Sequence, residues 1–303
     1  MKKILIALAT CVGLTFSAHS AVVKIVVPFG PGGSADYAAR QVERILTNKT
    51  GYTYVVENHP GAGGQIGAQL VAKNTKAETV LLVHSLAVII NSIGDQSTYS
   101  MKEFKPVSGL GSIQWALVTH PQSHVNTLSK LMTTPDPVFF GSSGVGTSNQ
   151  IAGELLKQST KRNMIHVPFK GESAAFTEIL GNRLSVLFVS TGLAVGHNVT
   201  PLAVTGPTRS TDFPNVPTFQ ELGISGFDIN PNWLVLLASP GSDPAIVKQI
   251  QKTLSVALQE PAEVNAFKKA GINIDRQQLL NVDHFLHNEQ AKMKELLKNI
   301  SIR

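Results

Sequence analysis

The sequence predicts an α/β fold in which sheets, largely parallel, are covered by helices. Three observations carry that expectation. Short apolar runs rich in β-branched residues alternate with stretches of helical spacing along most of the 303 residues. Glycine-rich turns stand where several of those strands pass into helices. The C-terminal part, by contrast, carries helical patterns without strands between them.

Taken in order, strands are expected over 23–27, 53–57, 79–83, 113–119, 138–140, 164–166, 185–189, 202–204 and 233–238. Between most of them lie helical patterns, over 35–46, 65–72, 151–158 and 174–180. Ser242-Asp243-Pro244 then supplies a capping residue followed by proline at the first helical position. Ile246, Val247, Ile250, Leu254, Ala257 and Leu258 share one face of the helix that follows. A second helix opens at Pro261 and is stopped by Gly271, and a third spans 279–300. Helices in such a run are expected to pack over an existing sheet.

The first residues bear on compartment. Lys2 and Lys3 precede an apolar run from Ile4 to Phe16, and Ala18-His19-Ser20 offers small residues where a signal peptidase cuts. Residues 1–20 are therefore expected to be a removed export signal, too short for a comfortable membrane span. The single cysteine, Cys11, lies within it, and Thr10 before it departs from a lipoprotein box. Cleavage after Ser20 leaves a chain without cysteine, which removes disulfides, thiol catalysis and cysteine-ligated metals. Loss of Lys2 and Lys3 lowers the formal charge from +6 to +4. The remaining basic residues are scattered without aromatic-basic clusters, so no nucleic acid is expected as partner.

Function is written in the turns. Pro28-Phe29-Gly30-Pro31-Gly32-Gly33-Ser34, Asn58-His59-Pro60-Gly61-Ala62-Gly63-Gly64, Gly141-Ser142-Ser143-Gly144-Val145-Gly146-Thr147-Ser148 and Pro168-Phe169-Lys170-Gly171-Glu172 each lead from a strand into a helix. Such a turn offers unpaired backbone N–H groups at the positive end of a helix, and glycine lets a guest approach the backbone. The natural guest is an anion. Any one of these turns is ordinary βα chemistry; four in one chain, with hydroxyls at Ser34, Ser142, Ser143, Thr147 and Ser148, point to a shared anion pocket.

Other chemistries fail on spacing. The glycines at 61–67 do not match a dinucleotide fingerprint, and His84 rather than an acid closes the next strand. No phosphate loop is present, and no cofactor is expected. Gly141-Ser142-Ser143-Gly144-Val145 misses the nucleophile elbow at its last position, which leaves a serine hydrolase as a distant alternative. His120 and His124 are separated by Pro121, and His284 and His287 suit a solvated helix face better than a metal site.

Several of these motifs together resemble the Bug family of solute receptors, which serve tripartite tricarboxylate transporters. The resemblance rests on residues 26–36 with Ala39-Arg40, residues 56–67, Gly144-Val145-Gly146-Thr147, His166-Val167-Pro168-Phe169-Lys170-Gly171, Leu202-Ala203-Val204-Thr205 and residues 214–223. It implies a two-lobed, type II periplasmic-binding-protein fold, each lobe a mixed, mostly parallel sheet flanked by helices. One lobe would combine 21–118 with 236–303 and the other would be 119–235, with crossings at the strands over 113–119 and 233–238. It further implies a periplasmic, monomeric, non-enzymatic receptor that takes a small carboxylate and meets transporter subunits in the membrane. The same fold could instead serve a membrane sensor kinase.

Carried over residue by residue, the likeness nominates Phe29, Gly32, Gly33, Ser34, Gly63 and Gly64 from the first two turns. The facing lobe contributes Ser142, Ser143, Gly146, Thr147, Lys170 and Gly171, while His84 and Ser85 shape the pocket. Asp36 is expected to cap or orient the first turn. Trp115 and Trp233 are expected in the core near the crossings. Two departures stand out: Lys76-Ala77-Glu78-Thr79 replaces a stretch common in the family, and Val189-Ser190-Thr191 stands where relatives often carry an aspartate. The second argues against an amino-acid ligand, whose ammonium wants an acidic partner.

Overall fold

The computed structural model describes residues 22–93, 97–227, 232–274, 281–298 and 300. The expected export signal lies outside them, as do the two ends of the helix expected over 279–300. Among the described residues, eleven strands are arranged in two sheets, each flanked by helices. Among the described residues no helix is long and apolar enough to cross a membrane.

The first sheet opens with β1 (Val22–Val27), α1 (Ser34–Thr50), β2 (Thr53–Asn58), α2 (Gln65–Ala72), β3 (Val80–Ser85) and α3 (Ala87–Ile93). β1 lies between β2 and β3 and is parallel to both. β4 (Lys105–Ile113) completes this passage of chain, which then enters the second sheet at β5 (Trp115–Thr119). There follow α4 (Leu128–Thr133), β6 (Val138–Ser142), α5 (Ser148–Thr160), β7 (Met164–Pro168), α6 (Glu172–Leu180), β8 (Val186–Ser190), α7 (Thr191–Ala194) and β9 (Thr200–Val204). The chain returns through β10 (Asn232–Ala238), α8 (Pro244–Ala257), α9 (Pro261–Lys269), β11 (Ile272–Asn273) and α10 (Val282–Leu296). Strand order is β11-β4-β10-β3-β1-β2 in one sheet and β7-β6-β8-β5-β9 in the other.

The strand expected over 113–119 is two strands. Gln114 separates them, and its Nε2 donates to the carbonyls of Thr205 and Thr208 at 2.7 and 2.8 Å. β10 lies wholly within the six-stranded sheet, so the chain returns before it rather than along it. It inserts antiparallel between β3 and β4. β5 likewise runs antiparallel to β8 and β9, whereas β6 is parallel to both β7 and β8. Parallel pairing thus belongs to strands joined by helical crossovers; β4, β5, β9, β10 and β11 pair antiparallel.

Patterning explains the layers. β3 is buried along its full length, as a central strand covered on both faces must be. α1 presses Ala38, Val42, Ile45 and Leu46 onto the first sheet, and α8 packs Val247, Ile250, Leu254 and Ala257 beside it. Asp243 caps α8 by accepting from the N–H of Ala245 at 2.7 Å, with Pro244 at the first helical position. α10 covers the opposite face near α3, where the Trp233 indole donates to Glu289 at 2.9 Å and meets Phe285 edge-on. The C-terminal helices therefore cover the first sheet, as the strandless tail implies. Phe188, Phe219 and Phe227 stack in the core of the second lobe.

Candidate functional site

The carboxyl ends of the parallel strands deliver the four glycine turns to the cleft. The first turn is built by Asp36, which is nearly fully buried in the first turn of α1. Its Oδ2 accepts from the N–H of Gly32 and from Arg40 Nε, both at 3.0 Å. Its Oδ1 accepts from Arg40 at 3.1 Å and from Asn58 at 2.9 Å. Burial opposes ionisation of Asp36, but the hydrogen bonds from Arg40, Gly32 and Asn58 outweigh it and hold the carboxyl below its usual range. Asn58 also donates to the carbonyl of Phe29 at 3.0 Å, tying the first turn to β2. Asp36 orients the turn, although it also borders the cleft cavity.

His84 supports two turns at once. It is fully buried at the end of β3, with its ring edge-on to Phe29 at 5.4 Å. Gly64 lies on the same ring: a Cβ there would come within 2.8 Å of it. Nδ1 accepts from the N–H of Ser85 at 2.8 Å, so the neutral ring carries its proton on Nε2. Burial lowers its pKa to about 3, which keeps it neutral.

The turns meet in pairs across the cleft. The second meets the third: the Gly63 Cα lies so close to the carbonyl of Val145 that a Cβ would fall on the oxygen. Asn91 donates to the Gly63 carbonyl at 3.0 Å and also lies against Gly146. The first turn meets the fourth through the N–H of Gly30, which donates to the Lys170 carbonyl at 3.0 Å. Beside it the Glu172 carboxylate reaches from α6 to the start of α1. Its Oε2 accepts from the Ser34 N–H at 3.2 Å and from the Ser34 hydroxyl at 3.0 Å. Its Oε1 accepts from the N–H of Ser190 at 2.6 Å.

Between these contacts lies a small cavity, with about 30 Å³ open to the centres of water-sized molecules. Of the nominated residues, Phe29, Gly33, Ser34, Ser85, Ser143 and Thr147 border it. Gly32, Gly63, Gly64, His84, Ser142, Gly146, Lys170 and Gly171 do not; they shape the turns around it. Lys170 takes part through its carbonyl, with its side chain exposed. The nominations pass over Gly30, Trp115, Ser148, Asn149, Glu172 and Asn232, which border the cavity too. Trp115 is thus both core and wall. The Glu172 carboxylate stands at the N–H of Ser190, where Val189-Ser190-Thr191 lacks an aspartate, so an acid borders the cavity from another element.

The third turn is internally satisfied. Asn149 accepts from the Ser143 N–H and donates to its hydroxyl, both at 3.0 Å, and the Thr147 hydroxyl donates to Gly144 O at 2.6 Å. Ser148 donates to Asn232 at 2.9 Å, joining the lobes. The Ser142 hydroxyl is fully buried, donating to Gly144 O at 3.0 Å and accepting from Gly144 N at 3.1 Å. The hydroxyl also lies 2.6 Å from His166 Nε2, a contact whose donor is set by the tautomer of the ring. The pair braces the turn. Among the described residues no three His, Cys, Asp or Glu gather to hold a metal.

Known proteins of the same architecture agree with this two-lobed geometry. The periplasmic binding protein BugD superposes with a TM-score of 0.85 at 23% identity, covering 93% of this chain and 98% of that one. The R. palustris protein Rpa4515, solved with adipate, gives 0.84 at 22% identity over 93% and 97% of the two chains. In sequence, BugT of Bordetella pertussis is 32% identical over 261 residues, spanning 82% of this chain and 80% of that protein. The model of the tripartite tricarboxylate transporter family receptor matches residues 38–302. The chain belongs to that family of transporter receptors, which are solute-binding proteins and not enzymes.

Proposed function

We propose that this protein captures a small carboxylate in the cleft between its lobes and presents it, in the periplasm, to membrane subunits of a tripartite tricarboxylate-type transporter. The observation that carries this reading is the start of α1. Its Ser34 N–H and hydroxyl both serve a carboxylate, that of Glu172. A helix N-terminus with an added hydroxyl favours an anion of that shape without an arginine clamp, and no arginine or lysine borders the cavity among the described residues. The adipate bound by the R. palustris relative supports the ligand class.

Phe29, Gly33, Ser34, Ser85, Ser143 and Thr147 are the proposed contacts, with Ser148, Asn149 and Asn232 added from the opposite side. The lobes are proposed to divide at Gln114 and again between 205 and 232, as a monomer with two crossings that act as hinges. Export would follow from the N-terminal signal.

A thermal-shift screen of dicarboxylates, tricarboxylates, aromatic acids and amino acids, followed by calorimetry, tests the reading. A carboxylate at about a hundred times its Kd should stabilise by about 2.7 kcal/mol and raise Tm by several degrees. If no carboxylate raises Tm, the proposed function fails.

A further inference from the structure

We infer that Glu172 is a built-in competitor for the ligand: its carboxylate occupies the donors of the ligand carboxylate and latches the lobes, and a ligand binds by displacing it. The inference rests on the carboxylate-receptor reading above and adds a specificity-determining residue to it.

The geometry is that of an anchored arm. The Ser190 N–H holds Oε1 from within the same lobe, at 2.6 Å. The other oxygen is thereby aimed across the cleft, where Ser34 supplies two donors from the opposite lobe. Hydrogen bonds to an ionised acceptor are the stronger kind, and these act at the positive end of a 17-residue helix. The two oxygens thus span the lobes, as a bound carboxylate would be expected to do.

Space makes the contact exclusive. The roughly 30 Å³ beside Glu172 falls far below the several hundred Å³ typical of small-molecule pockets. A ligand carboxylate reaching Ser34 must therefore part the lobes and turn Glu172 away. A solute without an anionic group offers only neutral acceptors, whose hydrogen bonds are weaker, so the latch discriminates against neutral solutes. It also taxes every ligand by the free energy of releasing it.

Glu172→Gln and Glu172→Ala test this, each checked for an unchanged circular-dichroism spectrum. The Gln variant keeps the shape but turns an N–H toward donors. Adipate and citrate serve as probes in calorimetry. Where the wild type binds either, both variants should bind it about tenfold more tightly, a gain of about 1.4 kcal/mol. Unchanged or weaker binding overturns the inference; weaker binding would mark Glu172 as partner of a cationic group on the ligand. Small-angle scattering of the proteins without solute is a separate arm. Both variants should show a larger radius of gyration than the wild type. Equal radii overturn the latch whatever the affinities. If neither probe nor any other carboxylate binds the wild type, the receptor reading fails by itself, and scattering still judges the latch.

Discussion

The two pairs of turns that meet across the cleft close the same gap by different physics. Where the second turn meets the third, the approach is steric: Gly63 lies on the Val145 carbonyl and Asn91 ties the Gly63 carbonyl in place. Where the first turn meets the fourth, the approach is polar: Gly30 donates to Lys170, and Ser34 to Glu172. The steric contact has no room for a side chain and nothing a solute could replace. The polar contact consists of donors and an acceptor that a solute could exchange. A fixed contact and an exchangeable one are thus assigned to separate pairs of turns, although all four look alike in sequence.

The steric contact should be the more sensitive to a single methyl group. Gly63 has φ +61 and ψ 24, a left-handed conformation that alanine adopts at a cost of about 1–2 kcal/mol. Gly63→Ala should therefore fold, but its Cβ would collide with Val145 and hold the lobes apart. Affinity for a carboxylate ligand should fall about a hundredfold, since overpacking a close contact costs about 1–3 kcal/mol or more. Calorimetry on the variant and scattering on its ligand-saturated form would read this. Wild-type affinity would remove the steric role.

His84 lies beneath both kinds of turn and joins them to one support. It stays neutral in the fold, with its pKa at about 3, while in the unfolded chain it takes up a proton near 6.5. The unfolded state therefore binds more protons below about pH 6.5, and stability falls as pH drops from there toward about 3. His84→Asn keeps an acceptor for the Ser85 N–H but loses the ring against Phe29 and Gly64. It should be less stable at pH 7 by about 1–3 kcal/mol, with a shallower fall on acidification. His166, lowered to about 4 by burial and by nearby Lys157, adds the same slope to both proteins and cancels in the comparison. Urea unfolding at several pH values between 4 and 7 measures the difference; parallel pH profiles would refute it.

These contrasts also mark what was legible in the sequence. Strand-turn-helix units are local, so β1, β2, β6 and β7 and their glycine turns could be read from spacing alone. β4 could not, because Pro106, Gly109 and Gly111 break its apolar run like a loop. The passage between lobes was hidden in one apolar stretch, with Gln114 as the single polar residue that marks it. The anion-binding character of the first turn was readable from its glycines and Ser34. The occupant was not: Glu172 meets Ser34 across 138 residues, and no local pattern reports such a pairing. The visible trace was an acid directly after the glycine of a cleft turn.

The smallest effect is expected where charge would suggest the largest. Lys170 is a cation beside the proposed carboxylate site, but it joins the polar contact through its carbonyl, which accepts from Gly30 at 3.0 Å. Its side chain is exposed, and alanine supplies the same carbonyl. Lys170→Ala should leave the equilibrium affinity for a carboxylate within about twofold at 0.15 M salt, where exposed charges are screened beyond about 8 Å. Some loss of association rate at low salt is the expected residue of its charge. Stopped-flow binding at two ionic strengths separates the two effects. A tenfold loss of affinity at 0.15 M salt would instead put the ammonium on the ligand, and the division between an exchangeable backbone contact and a steric one would have to be redrawn.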